Sequence, residues 1–370
     1  MKVVHFITSI DRRSGGPATY MELLSHYLGQ LVELHIVTAK TDNAVELENA
    51  IVHYVSCDKM TDLLLLKRQW LSLLNDINPD IVHLNGIWEP QSWIVQHEAQ
   101  KRGIKVIITP HGMMEPWCVH HKAWKKKLAL ILYQQRSVRE ADCLHATTEI
   151  EKENMLLWHE KTPIEIIPLG IGVDGIAVKK CWKKQKRILF LSRVHEKKGI
   201  EFLLETVRQL KTVLDGYHFI IAGEGDMQYV DSLKNRVKEY GIGKLVDFVG
   251  GVYGERKWEL YRDADFFVLP TYCENFGYVI AESLAVGTPV VTTQETPWSL
   301  LEKYHCGYWI SLKMETLVEA IDKMVKKTDE EMEIMGRNAR TLVEVQCNLG
   351  TIAQRMRDLY GKMLVKENKV

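Results

Sequence analysis

Short runs of β-branched and apolar residues alternate with stretches of helical periodicity along the whole chain. In the first half, Val3–Ile7, Val32–Val37, Ile51–Val55, Ile81–Leu84, Val106–Ile108, Cys143–Ala146 and Ile164–Ile167 read as strands. Apolar positions recurring every three or four residues predict helices between several of them, over Ala18–Gly29 and Asp62–Asn78. The pattern then starts again. Arg187–Ser192, His218–Ala222, Leu245–Phe248, Phe266–Leu269 and Pro289–Thr292 read as strands, and Ile200–Leu214, Met227–Tyr240 and Val279–Val286 as helices. From Glu315 to about Lys366 the chain reads as nearly all helical. Alternation of this kind implies parallel sheets covered by helices on both faces.

The two halves are separated by PLGIGVDGIAVKKCWKKQKR, residues 168–187, rich in Gly and Lys and poor in periodicity. A boundary near Val178 gives domains over 1–177 and 178–350. The expected class is α/β: two doubly wound, Rossmann-like domains facing each other, with ligands in the cleft at the carboxyl ends of the strands. A length of 370 residues suits two domains. Lys plus Arg number 48 and Asp plus Glu 48, so the basic excess of a general nucleic-acid binder is missing. Apolar runs such as Leu128–Tyr133 fall far short of the ~20 residues of a membrane-spanning helix. The start, MKVVHFITSI, has no small-residue cleavage site and reads as a strand rather than a signal peptide. Seven cysteines, none close to another in sequence, exclude a disulfide framework or a local zinc knuckle and point to a reducing, cytoplasmic compartment.

The most specific chemistry lies in Cys273-Glu274-Asn275-Phe276-Gly277-Tyr278-Val279-Ile280-Ala281-Glu282. Glu274 falls on a strand-to-helix loop, and Glu282 is expected roughly two turns into the helix. The N–H groups of Phe276, Gly277 and Tyr278 are expected at the helix N-terminus, a place that favours anions by about 0.3–1 kcal/mol per interaction. Gly277 lets a phosphate approach, and a carboxylate can bind two vicinal hydroxyls of a sugar or ribose.

Two carboxylates framing seven residues, with Phe-Gly after the first and A-x-G-x-P-V-V after the second, resemble the retaining glycosyltransferases of family 4. The resemblance implies the GT-B fold and covers most of the chain, because further family motifs recur in order. Ser14-Gly15-Gly16-Pro17 follows the first strand. Alone it is a turn, with Pro17 suited to the first helical position. The resemblance places Gly15 and Gly16 near a donor diphosphate and the acceptor. His111, in Thr109-Pro110-His111-Gly112-Met113, matches the family histidine near the donor sugar. Arg193 and Lys198, in Ser192-Arg193-Val194-His195-Glu196-Lys197-Lys198-Gly199, match the cations that neutralise the diphosphate. That role needs charge-assisted bonds, bidentate from Arg193 and point-like from Lys198.

On the same resemblance, Glu274 orients the sugar hydroxyls, Asn275, Phe276, Gly277 and Tyr278 line the donor, and Glu282 holds the ribose. Gly223, in a Gly-Glu-Gly loop, and Val249 lie beside the nucleotide. Asn85 and Trp88, with His83 nearby, are candidates for the acceptor side, where core roles serve as well. The helix from about Thr351 to Val365 is expected to cross back onto the first domain. No Asp-x-Asp motif stands near a strand end, so neither a metal nor another cofactor is expected.

Residues 117–133, WCVHHKAWKKKLALILY, interleave Lys122, Lys125, Lys126 and Lys127 with aromatic and aliphatic residues. Basic residues near anionic lipid contribute about 1 kcal/mol each, so this segment suits an anionic membrane surface as well as a solvated helix turn. The expected activity is transfer of a hexose from a UDP- or GDP-sugar, with retention and without metal, to a glycan or lipid-linked acceptor in bacterial surface polysaccharide synthesis. The expected place is the cytoplasm, peripheral at the inner face of the plasma membrane. The same architecture also serves a sugar-nucleotide epimerase or a non-catalytic nucleotide- or glycan-binding protein. The incomplete glycine fingerprint disfavours a dinucleotide oxidoreductase.

Overall fold

Apolar strand residues buried on both faces need helices on both sides, and the chain supplies them twice. The computed structural model describes residues 1–120 and 123–365. The chain divides into two units: Met1–Gly172 together with the segment from Leu349, and Val173–Asn348.

The first unit carries seven strands: β1 (Lys2–Phe6), β2 (Glu33–Thr38), β3 (Ile51–Tyr54), β4 (Ile81–Asn85), β5 (Lys105–Thr109), β6 (Cys143–Ala146) and β7 (Ile164–Ile166). They form one parallel sheet in the order β3-β2-β1-β4-β5-β6-β7. Strand order reverses between β1 and β4, where His5 lies in register with His83. Val4, Phe6, Val82, Leu84, Val106 and Ile108 fill one face of the core, against Trp70 and Val95 from helices Leu63–Ile77 and Pro90–Gln100. Helix Leu349–Val365 packs on helix Gly16–Leu28 in this unit.

The second unit carries six: β8 (Arg187–Leu191), β9 (His218–Ala222), β10 (Val246–Gly250), β11 (Phe266–Leu269), β12 (Val290–Thr293) and β13 (Gly307–Ile310). Their order is β10-β9-β8-β11-β12-β13, again parallel, reversing between β8 and β11. The carboxyl ends of strands at such a reversal form a crevice where doubly wound proteins bind ligands.

Several boundaries differ from expectation for local reasons. Gly15 takes φ 75° and stands outside the first helix, so Pro17 is second in helix Gly16–Leu28, not first. Gly277, at φ 78°, likewise precedes helix Tyr278–Ala285. Glu282 therefore sits little more than one turn into that helix rather than two. The C-terminal stretch is three helices, Met314–Lys326, Asp329–Gln346 and Leu349–Val365. The break before the second is a capping box, in which Thr328 and Glu331 satisfy each other's backbone N–H groups.

Candidate active site

In the second unit the reversal point gathers charge. The loop after β8 carries Arg193 and Lys198, and the loop after β11 carries Glu274. The two loops are laced together at the Lys197 carbonyl, which accepts from the Tyr272 N–H at 2.9 Å and the Thr271 hydroxyl at 3.0 Å. Lys198 is thereby held against Glu274, and its ammonium donates directly to the carboxylate. Both side chains are nearly buried, so the pair is poorly screened by solvent. Arg193 is exposed and has no ion pair among the described residues.

Close approach of these loops explains the glycines. A Cβ on Gly223 would lie 1.8 Å from the Ser192 carbonyl oxygen. The loop after β9 therefore packs backbone to backbone against the loop carrying Arg193, where the Val194 N–H donates to the Glu224 carbonyl at 2.8 Å. Val249 is exposed, on a strand that bulges between Phe248 and Gly250. Phe276 is buried, its ring 5.3 Å from that of Trp298 and its carbonyl accepting from the indole N–H. Its side chain thus belongs to the core, and only its backbone faces the helix start. Tyr278 packs edge-to-face on it, centroids 5.0 Å apart. Glu282 is buried, with one oxygen 2.7 Å from the Lys257 ammonium and the other accepting from the Tyr261 hydroxyl at 3.0 Å. Burial beside this carboxylate holds the Tyr261 hydroxyl's pKa far above its ordinary value.

In the first unit, the loops after β1, β4 and β5 carry Gly15, Trp88 and His111. All three have positive φ, and two of them are not glycine: Trp88 at φ 77° and His111 at φ 53°. Such a φ on a non-glycine residue costs about 1–3 kcal/mol and persists where its surroundings enforce it. Here they do. Trp88 donates its N–H to the Gln134 side chain at 2.8 Å and its indole N–H to the Met113 carbonyl at 2.9 Å, and accepts from the Tyr133 hydroxyl at 2.6 Å. Tyr133 and Gln134 lie in a π-helical turn, Leu130–Gln134. The buried Glu151 carboxylate accepts from the Gly112 N–H at 2.6 Å, the Thr147 N–H at 2.7 Å and the Thr147 hydroxyl at 2.6 Å, fixing the loop just after His111. The half-buried His111 ring stands edge-on to Tyr20, centroids 5.0 Å apart, and donates from Nε2 to the Asn85 amide oxygen at 3.2 Å. Asn85 is itself buried.

Two family models together match nearly all of residues 14–342, which carry these loops. Residues 14–174 match Glycosyltransferase Family 4, and residues 176–342 match Glycosyl transferases group 1. The chain belongs to the group 1 glycosyltransferases of the family 4 type. The chain is 30% identical to the D-inositol 3-phosphate glycosyltransferase of Mycolicibacterium smegmatis over 51% of its own length and 48% of that protein's. It spans about half the length of the curated relatives it matches. Its fold is that of sucrose-phosphate synthase from Thermosynechococcus elongatus, with a TM-score of 0.83 at 20% identity over 99% of this chain and 100% of that one. HepE of Anabaena, in complex with UDP-glucose, aligns with a TM-score of 0.79 at 16% identity over 98% and 100%. The fold is GT-B.

Sequence reasoning did not find several residues that shape these loops. Lys257 and Tyr261 on helix Gly254–Asp263 hold Glu282, and Glu151 holds the loop after His111. Glu151 had a visible signal. It follows Thr148 by three, the N-cap spacing, and it is an acid in an otherwise apolar-facing position. The Lys198–Glu274 contact, 76 residues apart, had none.

Proposed function

We propose that this glycosyltransferase moves a hexose from a UDP- or GDP-linked donor, with retention, to a hydroxyl of a glycan or lipid-linked acceptor. The observation that carries the assignment is the nearly buried Lys198–Glu274 pair at the strand reversal, with Arg193, exposed and without an ion pair among the described residues, on the same loop as Lys198. A diphosphate leaving group needs cations, and a sugar needs a carboxylate to orient its hydroxyls. An ammonium has three N–H donors, so Lys198 can keep Glu274 and still donate to phosphate oxygens. Arg193 supplies a bidentate fork for the same group. Leaving-group charge is thus assigned to these side chains rather than to a metal.

The C1–O bond to the diphosphate breaks as the acceptor oxygen bonds C1 on the same face, through an oxocarbenium-like state. The acceptor's proton passes to the departing diphosphate. Glu274 orients the sugar hydroxyls, His111 serves the acceptor-side edge, and Glu282, steadied by Lys257 and Tyr261, takes the ribose hydroxyls. Catalysis is then positioning plus fixed charge. UDP-glucose in the HepE complex supports the donor class. The test is thermal stability with UDP, GDP, ADP or NAD at about 100 times its dissociation constant, where a bound ligand adds about 2.7 kcal/mol. Stabilisation by UDP or GDP is expected; stabilisation by NAD alone would overturn the assignment.

A membrane-facing acceptor fits the first unit's surface. Trp124, Leu128, Ile131 and Leu132 are exposed, and Lys127 is exposed among them. Lys126 turns inward: its ammonium donates to the Cys118 carbonyl and lies 5.4 Å from the centre of the Trp88 ring. Lys122 and the side chain of Lys125 lie outside the described residues. No helix among the described residues is long and apolar enough to cross a membrane. The protein is expected to sediment with phosphatidylglycerol vesicles at low salt, and Leu128→Ser with Ile131→Ser to abolish this. Sedimentation equal for wild type and the double variant would contradict the assignment of this surface.

A further inference from the structure

Six polar side chains cross the sheet of the first unit in one hydrogen-bonded line to His111. It starts at a group that can only accept. The Ile167 carbonyl lies 2.7 Å from His145 Nε2. That nitrogen therefore carries the proton, and in a neutral ring His145 Nδ1 must accept. Its partner at 2.7 Å is the Thr109 hydroxyl, which donates. Thr109 then accepts from His83 Nε2 at 2.6 Å, leaving His83 Nδ1 to accept from the Tyr360 hydroxyl at 2.8 Å. Tyr360 in turn accepts from His5 Nε2 at 2.8 Å, and His5 Nδ1 accepts from the Asn85 amide at 3.1 Å. The Asn85 oxygen is left facing His111 Nε2 at 3.2 Å. Every proton in the line has one allowed place.

The other end is pinned separately. Asn85 Nδ2 also lies 3.3 Å from the Phe6 carbonyl and 3.3 Å from the His83 carbonyl, so its NH₂ group must face them and its oxygen must face His111. His5, His83, His145, Thr109 and Tyr360 are wholly buried. Burial holds the rings of His5 and His111 down to about 3 and that of His145 to about 4, and keeps His83 well below its ordinary value. All four rings are neutral near pH 7, as the line requires.

We propose that this line, with Asn85 as its last link, locks His111 as the Nε2–H tautomer, so that its Nδ1 lone pair meets substrate as a hydrogen-bond acceptor for a hydroxyl. His111 is then neither a cation nor an acid in the reaction, and it selects a ligand group that can donate. Asn85 is the positioning residue; His5 and Tyr360 satisfy the buried polar line behind it. The part concerning substrate rests on the glycosyltransferase assignment; the tautomer itself does not.

The test is nuclear magnetic resonance of the full chain with ¹⁵N-labelled histidine, His111 being assigned by its loss in His111→Asn. The expected result is a pyridine-type Nδ1 and a pyrrole-type Nε2 for His111, unchanged from pH 6 to 8. A pyrrole-type Nδ1, or resonances averaged between the two types, overturns the proposal without bearing on glycosyl transfer. Asn85→Leu is expected to give averaged His111 resonances while those of His145 stay in place, and to lower turnover at least tenfold more than it raises the donor KM. Tyr360→Phe leaves Asn85 pinned by its two carbonyls. It is expected to lower the melting temperature and leave the His111 tautomer unchanged. A pure Nε2–H tautomer in a folded Asn85→Leu protein would remove Asn85 from the line.

Discussion

Lowering the pH from 7.5 to 5.5 is expected to destabilise the first unit by about 4 kcal/mol. Its interior holds three histidines with no solvent exposure, His5, His83 and His145. Burial depresses each below the ordinary 6.5, His5 to about 3 and His145 to about 4. In the unfolded chain the same rings protonate near 6.5, so across this window the unfolded state binds more protons. Stability is full above about pH 7 and is lost as pH falls from the unfolded value toward the folded ones. Each ring contributes about 1.4 kcal/mol over the two pH units. Glu151 acts with the opposite sign and offsets part of this, because burial raises its carboxyl pKa. Total stabilities are about 5–15 kcal/mol, so the effect is a large fraction. Hydrogen exchange of the β1, β4 and β6 amides reads this unit directly. Equal protection at both pH values would show that these rings are already charged or hydrated at neutrality.

The second large effect belongs to Glu274. Glu274→Gln keeps the side chain's shape but removes the charge that pairs Lys198 and that, in the proposed reaction, orients the sugar. Loss of one fixed electrostatic contact to a reacting centre typically costs 10²–10³ in turnover. A fall of at least a hundredfold is expected. Affinity for the nucleoside diphosphate should move the other way, or hardly at all, because Lys198 loses its internal competitor. Lys198→Met should weaken diphosphate binding by about tenfold or more, the loss of one charge-assisted bond. Glu282→Ala should mainly weaken nucleotide binding. Calorimetric titration with UDP and GDP, beside kinetics of each variant, separates these signatures. Nucleotide affinity lost in Glu274→Gln, with turnover of the bound donor unchanged, would reverse the roles given to the two glutamates.

Most of the fold was legible because buried parallel strands leave apolar runs, and each run in the first half became a strand within a residue or two. β13 escaped notice because Gly307–Ile310 is a partly buried edge strand that directly follows helix Leu300–Lys303 and its turn. Helix starts were misjudged where a left-handed glycine, Gly15 or Gly277, set the cap. The loops bearing Arg193, Lys198, Glu274 and His111 could be found because each follows a strand at its carboxyl end. What those residues touch could not be read. Lys198 meets Glu274 across 76 positions, and the His5–Tyr360 hydrogen bond spans 355. A histidine inside a strand looks like an interruption until the hydroxyl that satisfies it arrives from another part of the chain.

The central assignment is a nucleotide-sugar site at the strand reversal of the second unit. Its most direct measurement is release of free nucleoside diphosphate from a panel of UDP- and GDP-linked hexoses, wild type beside Glu274→Gln. The account predicts release from at least one donor by the wild-type chain, cut at least a hundredfold in the variant while the diphosphate still binds. Release at equal rates by both proteins, or from no donor in the panel, would contradict it.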